Sequence, residues 1–150
     1  MLNFHPIENS SDTAEIIVPI LIEAYKPESV LDLGCNTGWW LHWFMKNGVM
    51  DITGIDGDNM HEELQIPLYH FIPADLTKPI NMARKFDLVL CLEVAEHLDE
   101  KYADNLVNTA VRHSDTIFWS AATPGQTGYH HVNERPLIYW IEKFNKRGYK

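Results

Sequence analysis

Cysteine is nearly absent from this chain of 150 residues, with only Cys35 and Cys91 present. Two thiols cannot staple a framework of loops, so reduced cysteines in a cytoplasmic protein are expected. Positive charge is scarce too: 12 Lys and Arg stand against 21 Asp and Glu, a formal net charge of -9. A surface that tracks phosphate backbones needs clustered Lys and Arg, so no nucleic-acid partner is expected. Long hydrophobic runs are missing as well. The longest, Ile16 to Ile22, is interrupted by Pro19 and falls far short of the roughly twenty apolar residues of a membrane span, so no membrane partner is expected. Met1 to Ser11 carries no basic n-region, which argues against a signal peptide. Repeats, linkers and low-complexity tracts are lacking. What remains is a chain that is 45% hydrophobic, enough apolar mass for one domain with a single core over residues 1–150.

The most informative stretch is Val30-Leu31-Asp32-Leu33-Gly34-Cys35-Asn36-Thr37-Gly38. Its apolar start reads as a short parallel strand buried on both faces. Gly34 and Gly38 then allow a tight turn and a close approach of backbone to a ligand. A helix follows from Gly38 to Asn47, its free N–H groups aimed at the same crevice.

Strands and helices alternate along the rest. Ser10, Ser11 and Asp12 are capping residues for a first helix, about Asp12 to Tyr25, within an N-terminal helical segment (residues 1–29); Pro19 is expected to kink or split it. Strand two is Asp51 to Ile55, closed by Asp56-Gly57-Asp58. A weaker helix around Asn59 to Leu64 leads to strand three, Leu68 to Ile72, and then to Pro73-Ala74-Asp75-Leu76. Strand four is Phe86 to Leu92, with a helix from about Glu100 to Arg112 after it. Strand five is Thr116 to Ala121, and a last amphipathic helix spans Pro136 to Lys146. This order predicts an α/β fold: a doubly wound, mostly parallel Rossmann-like sheet with right-handed crossovers and helices on both faces. Ligands bind such sheets outside the carboxyl ends of the strands. Those ends carry Gly34 to Gly38, Asp56, Asp75, Leu92-Glu93 and the loop from Thr123 to Asn133.

On these residues the chain resembles the class I S-adenosylmethionine-dependent methyltransferases, from Val30 to about Tyr149. Asp32 to Gly38 is similar to the family's first motif, whose loop wraps the methionine part of the cofactor; Asp32, Gly34, Cys35, Asn36 and Gly38 are the residues implied. Asp56 falls where the family places an acid on the ribose hydroxyls. Asp75-Leu76 matches the adenine pair, and Phe86 to Glu93 resembles the fourth motif, with Leu92 and Glu93 beside the cofactor. The resemblance implies S-adenosylmethionine as cofactor and methyl transfer to an oxygen or nitrogen of a small-molecule acceptor. Two departures stand out. Asn36 occupies a loop position where glycine is commonest, and asparagine enters left-handed backbone more easily than other residues with a side chain. The family sheet also finishes with two further strands, whereas this sequence stops at Gly148-Tyr149-Lys150, as in a pared-down variant or a fragment. Strand five would then present an open edge, which a homodimer would cover.

Blander readings compete with each assignment. A glycine loop also serves nicotinamide enzymes, but their spacing requires glycine where Asn36 and Trp39 stand. Asp56 and Asp75 can be turn residues, and Trp39, Trp40, Trp43 and Phe44 core residues. In Glu93-Val94-Ala95-Glu96-His97, a helical turn would put Glu93, Glu96 and His97 on one face. The same Glu-x-x-Glu-His pattern holds a divalent metal in some subfamilies of the resembled family, small RNA 2'-O-methylating enzymes among them, with a further His for which His130 or His131 is available. Other relatives use it without metal. The sequence reading therefore assigns no metal and takes His97 and His131 as catalytic, as general bases or substrate contacts. The segment Pro124 to Glu134 is expected to be a flap over the acceptor. The rival from another class is an inactive module that binds S-adenosylmethionine or its product without transferring a methyl group.

Overall fold

Val30, Leu31 and Leu33 are completely buried, as a central parallel strand requires. The computed structural model describes residues 10–57 and 63–150, and within them the chain alternates as anticipated. The elements are α1 (Ser10–Tyr25), β1 (Ser29–Leu33), α2 (Trp39–Lys46), β2 (Asp51–Asp56), β3 (Phe71–Pro73), β4 (Leu88–Leu92), α3 (Ala103–His113), β5 (Ile117–Ser120) and α4 (Leu137–Asn145). The strands form one all-parallel sheet in the order β3-β2-β1-β4-β5. The order reverses between β1 and β4, so the crevice above their carboxyl ends is the binding place that this topology creates.

Side-chain alternation along the strands divides the core in two. Val30, Ile52, Leu88 and Leu90 face α1 and α2, where they meet Ala14, Val18, Leu41 and Phe44. Leu31, Leu33, Ile55, Val89 and Cys91 face the other way, toward Leu106, Val107 and Ala110 of α3 and Trp140 of α4. Each of the large aliphatic residues buried here contributes roughly 1.5–3 kcal/mol. At the end of the sheet away from the crevice, Asp87 Oδ2 accepts hydrogen bonds from Glu28 N (3.0 Å), Ser29 N (2.9 Å) and Ser29 Oγ (2.9 Å). The Ser29 hydroxyl contact, foremost, holds the Asp87 carboxyl below its usual range.

Three expectations are corrected. Pro19 does not split α1, which runs unbroken from Ser10 to Tyr25; Pro19 and Glu15, whose carbonyl loses its donor, both lie on the exposed side, where solvent can take the place of the missing N–H. Leu68 to His70 form a 3₁₀ turn after Pro67, and only Phe71–Pro73 pairs with β2. Glu93 does not begin a helical turn; the turn spans Ala95–His97. The weaker helix read around Asn59 falls mostly outside the described residues. Among the described residues β5 pairs with β4 alone, and no helix is long and apolar enough to cross a membrane.

Candidate active site

The loop after β1 is built from left-handed backbone. Gly34 has φ 82°, Asn36 φ 49° and Gly38 φ 86°, so Asn36 takes the conformation for which asparagine suits this position. A Cβ on Gly34 would lie 2.3 Å from Val94 Cγ2, which leaves glycine alone able to pass there. Gly34 N and Cys35 N both donate to Ile55 O, at 2.8 and 3.1 Å, and Gly38 N donates to Cys35 O at 2.8 Å. No side chain caps the start of α2, so its first N–H groups remain for a ligand.

Asp56, at the tip of β2, accepts a hydrogen bond from Asn36 N on Oδ2 (2.7 Å) and from Gly57 N on Oδ1 (2.7 Å). Burial raises its pKa, and the two N–H groups oppose that rise. Asp32 is buried in the middle of the sheet; burial first, then the Asp56 charge, pushes its pKa up to about 8. Burial, with Asp32 and Asp56 behind it, also raises the Cys35 thiol, which donates to Asn36 O. Cys35 is therefore a packing residue rather than a nucleophile. Asp75 lies beside Gly57, Pro73 and Ala74 around a surface depression. Its Oδ1 accepts from Thr77 Oγ1 (2.6 Å) and Thr77 N (2.8 Å), which lower its pKa. Leu76 is half-buried against the α3 side of the core, and its carbonyl accepts from Asn105 Nδ2 at 3.2 Å. At the tip of β4, Leu92 is half-buried and Glu93 takes φ 54°. Glu93 N donates to the carbonyl and the hydroxyl of Ser120 on β5, both at 3.2 Å. The structure thus gathers the first loop with Asp56, and places Asp75 beyond β3, next to β2, and Glu93 at the tip of β4, next to β1.

A second group lies in the turn after β4. Glu96 is completely buried, and neither carboxylate oxygen meets a well-formed hydrogen-bond partner. Burial, above all, pushes its pKa up to about 7; the nearby Glu93 carboxyl adds to the rise, and the N–H groups of Glu96 and Ala122 oppose it. His97 Nδ1 is likewise buried without a partner. Burial, then His131, lowers the His97 pKa, so its imidazole is neutral at neutral pH. Its ring stands edge-on to that of His131, with centroids 5.0 Å apart. One ligating atom from each of Glu96, His97 and His131 lies within 4.8 Å of the others. What carries His131 here is backbone: Val132 N and Asn133 N both donate to Glu96 O, at 2.8 and 3.1 Å. Two imidazoles beside a buried carboxyl group that lacks a well-formed hydrogen bond make a donor set that suits a divalent cation.

The sequence reading named both histidines and left His130 open as the third donor. The structure selects His131, since His130 is exposed on the loop. One neighbour of His131, Glu134, was not singled out from sequence. Glu134 Oε1 lies 2.9 Å from His131 Nδ1, and its Oε2 accepts from Gly125 N at 2.9 Å. The spacing of three between His131 and Glu134 was the available signal.

Comparison with known proteins follows the same lines. A family model described as a methyltransferase domain matches residues 11–114. A small RNA 2'-O-methyltransferase of Xenopus tropicalis is 26% identical over 102 residues, which cover 56% of this chain and 28% of that protein. The chain thus spans little more than a quarter of that relative. Among solved structures, magnesium protoporphyrin IX methyltransferase of Synechocystis PCC 6803 superposes with a TM-score of 0.74 at 17% identity, covering 99% of this chain and 79% of that one. The methyltransferase domain of bacterial CtHen1 superposes with a TM-score of 0.69 at 19% identity, covering 92% and 85%. At these identities the two superpositions speak to fold.

Proposed function

The chain belongs to the methyltransferase domain family, with S-adenosylmethionine as its methyl donor, and from that premise we propose that it methylates a hydroxyl oxygen with the help of a divalent cation held by Glu96, His97 and His131. The observation that carries this reading is the Glu96 carboxyl group, completely buried with neither oxygen in a well-formed hydrogen bond. An isolated buried carboxylate is costly unless something pairs with it. Two imidazoles in reach, able to share a cation with it, are a reason to keep it there.

S-adenosylmethionine supplies a methyl group already activated on a sulfonium sulfur. The chain's part is to bind it and aim it. Gly34, Cys35, Asn36 and Gly38, with the uncapped start of α2, would hold the methionine portion, with Asp32 buried in the strand beneath them. Asp56 would accept from the ribose hydroxyls, Asp75 and the Leu76 N–H would hold the adenine, and Leu92 and Glu93 would close the cofactor's other side. A divalent cation makes a bound hydroxyl more acidic, which an alcohol acceptor needs and a phenolate or amine does not. His97 presents an Nδ1 that no protein group occupies with a hydrogen bond, and His131 reaches the same place from the loop of residues 122–134. The geometry favours ligand roles for both over the general-base roles read from sequence.

The acceptor we favour is a small hydroxyl compound, since the net charge of -9 opposes long-range attraction of a polyanion. A second reading, the ribose at the end of a small RNA, is supported by the relative that methylates small RNA. One assay separates these: methyl transfer from labelled S-adenosylmethionine to a catechol, to adenosine, and to an RNA oligonucleotide with either a ribose or a 2'-deoxyribose end, each with manganese or with EDTA. Manganese-dependent labelling of a hydroxyl acceptor supports the proposal, and the acceptor labelled fastest gives the class. Transfer that EDTA leaves untouched rejects the cation. No transfer to any acceptor, with S-adenosylhomocysteine still bound, returns the inactive binding module.

A further inference from the structure

We infer that Glu134 is a positioning residue for this site: it holds His131 through Nδ1 so that Nε2 is the nitrogen offered to the cation, and Gly128 leaves the room in which Nε2 works. The inference rests on the cation reading above and deepens it. His131 Nδ1 and Glu134 Oε1 are 2.9 Å apart, with both side chains largely shielded from solvent, at 14% and 19% exposure. A carboxylate only accepts, so the hydrogen on that line belongs to Nδ1, and in the neutral ring that places the lone pair on Nε2. A partner on one ring nitrogen is what fixes the tautomer and the ring plane of a ligating histidine. Glu134 is itself held, because Oε2 accepts from Gly125 N at 2.9 Å. The loop is therefore tied at both ends to one carboxylate.

Gly128 supplies the second, independent observation. A Cβ built there would lie 2.3 Å from His131 Nε2 and 2.4 Å from Cε1. Gly128 does not need glycine's backbone freedom, since it is not among the residues with positive φ. Its lack of a side chain matters for the space it leaves beside Nε2. An alanine at 128 crowds the very atom that the Glu134 contact frees, while the backbone stays at ease.

The test uses cobalt(II), whose visible absorption reports its ligands, titrated into the full chain with S-adenosylhomocysteine affinity as the check on folding. Wild type binds one equivalent with an imidazole-containing spectrum. Glu134→Ala weakens cobalt affinity at least tenfold and alters the spectrum, with S-adenosylhomocysteine affinity kept within twofold, in line with the roughly 10–100-fold effects of such supporting partners. Glu134→Gln, whose amide oxygen still accepts from Nδ1, restores most of that loss. Gly128→Ala gives a cobalt spectrum lacking one imidazole. If Glu134→Ala and Gly128→Ala both match wild type in affinity and spectrum, the positioning role is overturned and the cation site stands. If wild type takes up no cobalt, or Glu96→Ala and His97→Ala bind it unchanged, the cation reading itself falls and the inference with it.

Discussion

Asp56 Oδ2 accepts a hydrogen bond from the backbone N–H of Asn36 at 2.7 Å, so the acid proposed to hold the ribose also braces the loop proposed to hold the methionine. The two tasks can be separated by substitution. Asp56→Ala leaves the N–H groups of Asn36 and Gly57 without acceptors, at ~1–3 kcal/mol for each such group that water does not reach. It is expected to lower both stability and S-adenosylhomocysteine affinity, the latter at least tenfold. Asp56→Asn keeps one acceptor oxygen, so it should recover stability more than affinity. Calorimetric titration beside thermal melting reads both, and an unchanged affinity in Asp56→Ala would overturn the ribose assignment.

Asp32 gives a pH dependence with a definite sign. Its folded pKa of about 8 lies far above the value of 3.8 for an unperturbed aspartate, through burial first and the Asp56 charge second. Between those values the folded chain keeps a proton that the unfolded chain has released. Stability from this group is thus complete below the unfolded pKa and lost as pH rises through the folded one, at up to ~1.4 kcal/mol per pH unit. Asp32→Asn removes the titrating group. Urea unfolding across that window should show a decline in wild type and a flatter profile in Asp32→Asn; parallel profiles would assign the pH dependence elsewhere.

Much of this arrangement was legible because β1 and β4 announce themselves. Val30 to Leu33 and Leu88 to Leu92 are apolar runs ending at Gly34 and Glu93, and a parallel sheet then fixes where their tips lie. β3 was harder. Leu68 and Tyr69 look like strand residues, yet they are 60% and 80% exposed on a 3₁₀ turn, since an apolar residue does not say whether it is covered. The second group was legible only by residue type. Glu96 and His97 sit on one turn, but His131 is delivered by two hydrogen bonds from Val132 and Asn133 to the Glu96 carbonyl. A contact across such a separation is a tertiary event without a local pattern.

Glu96→Gln tests the cation without changing the size of the side chain. The wild-type carboxylate is buried, so replacing it by a neutral amide is expected to leave the melting temperature without added cation unchanged or slightly raised. With a divalent cation at about 100 times its dissociation constant, wild type should gain ~2.7 kcal/mol. Glu96→Gln should gain little of this, and lose methyl transfer on the order of 100-fold. Melting scans with manganese or EDTA check it, and equal gains in the two proteins would remove Glu96 from the ligand set.

Gly34 and Val94 give the sharpest test of why the first loop is made as it is. An alanine at 34 meets two separate penalties: a left-handed backbone at φ 82° and a Cβ 2.3 Å from Val94 Cγ2. The first costs ~1–2 kcal/mol for an L-residue and the second ~1–3 kcal/mol as overpacking. Gly34→Ala is therefore expected to destabilise by roughly 2–5 kcal/mol. Val94→Ala removes both Cγ atoms and, by itself, costs the burial of a small side chain. In the double variant the clash is gone while the backbone penalty remains, so the two changes should couple by about 1–3 kcal/mol in the compensating direction. Urea unfolding of the four proteins measures that coupling. Strict additivity would mean that backbone alone demands glycine at this turn, with Val94 free to move aside.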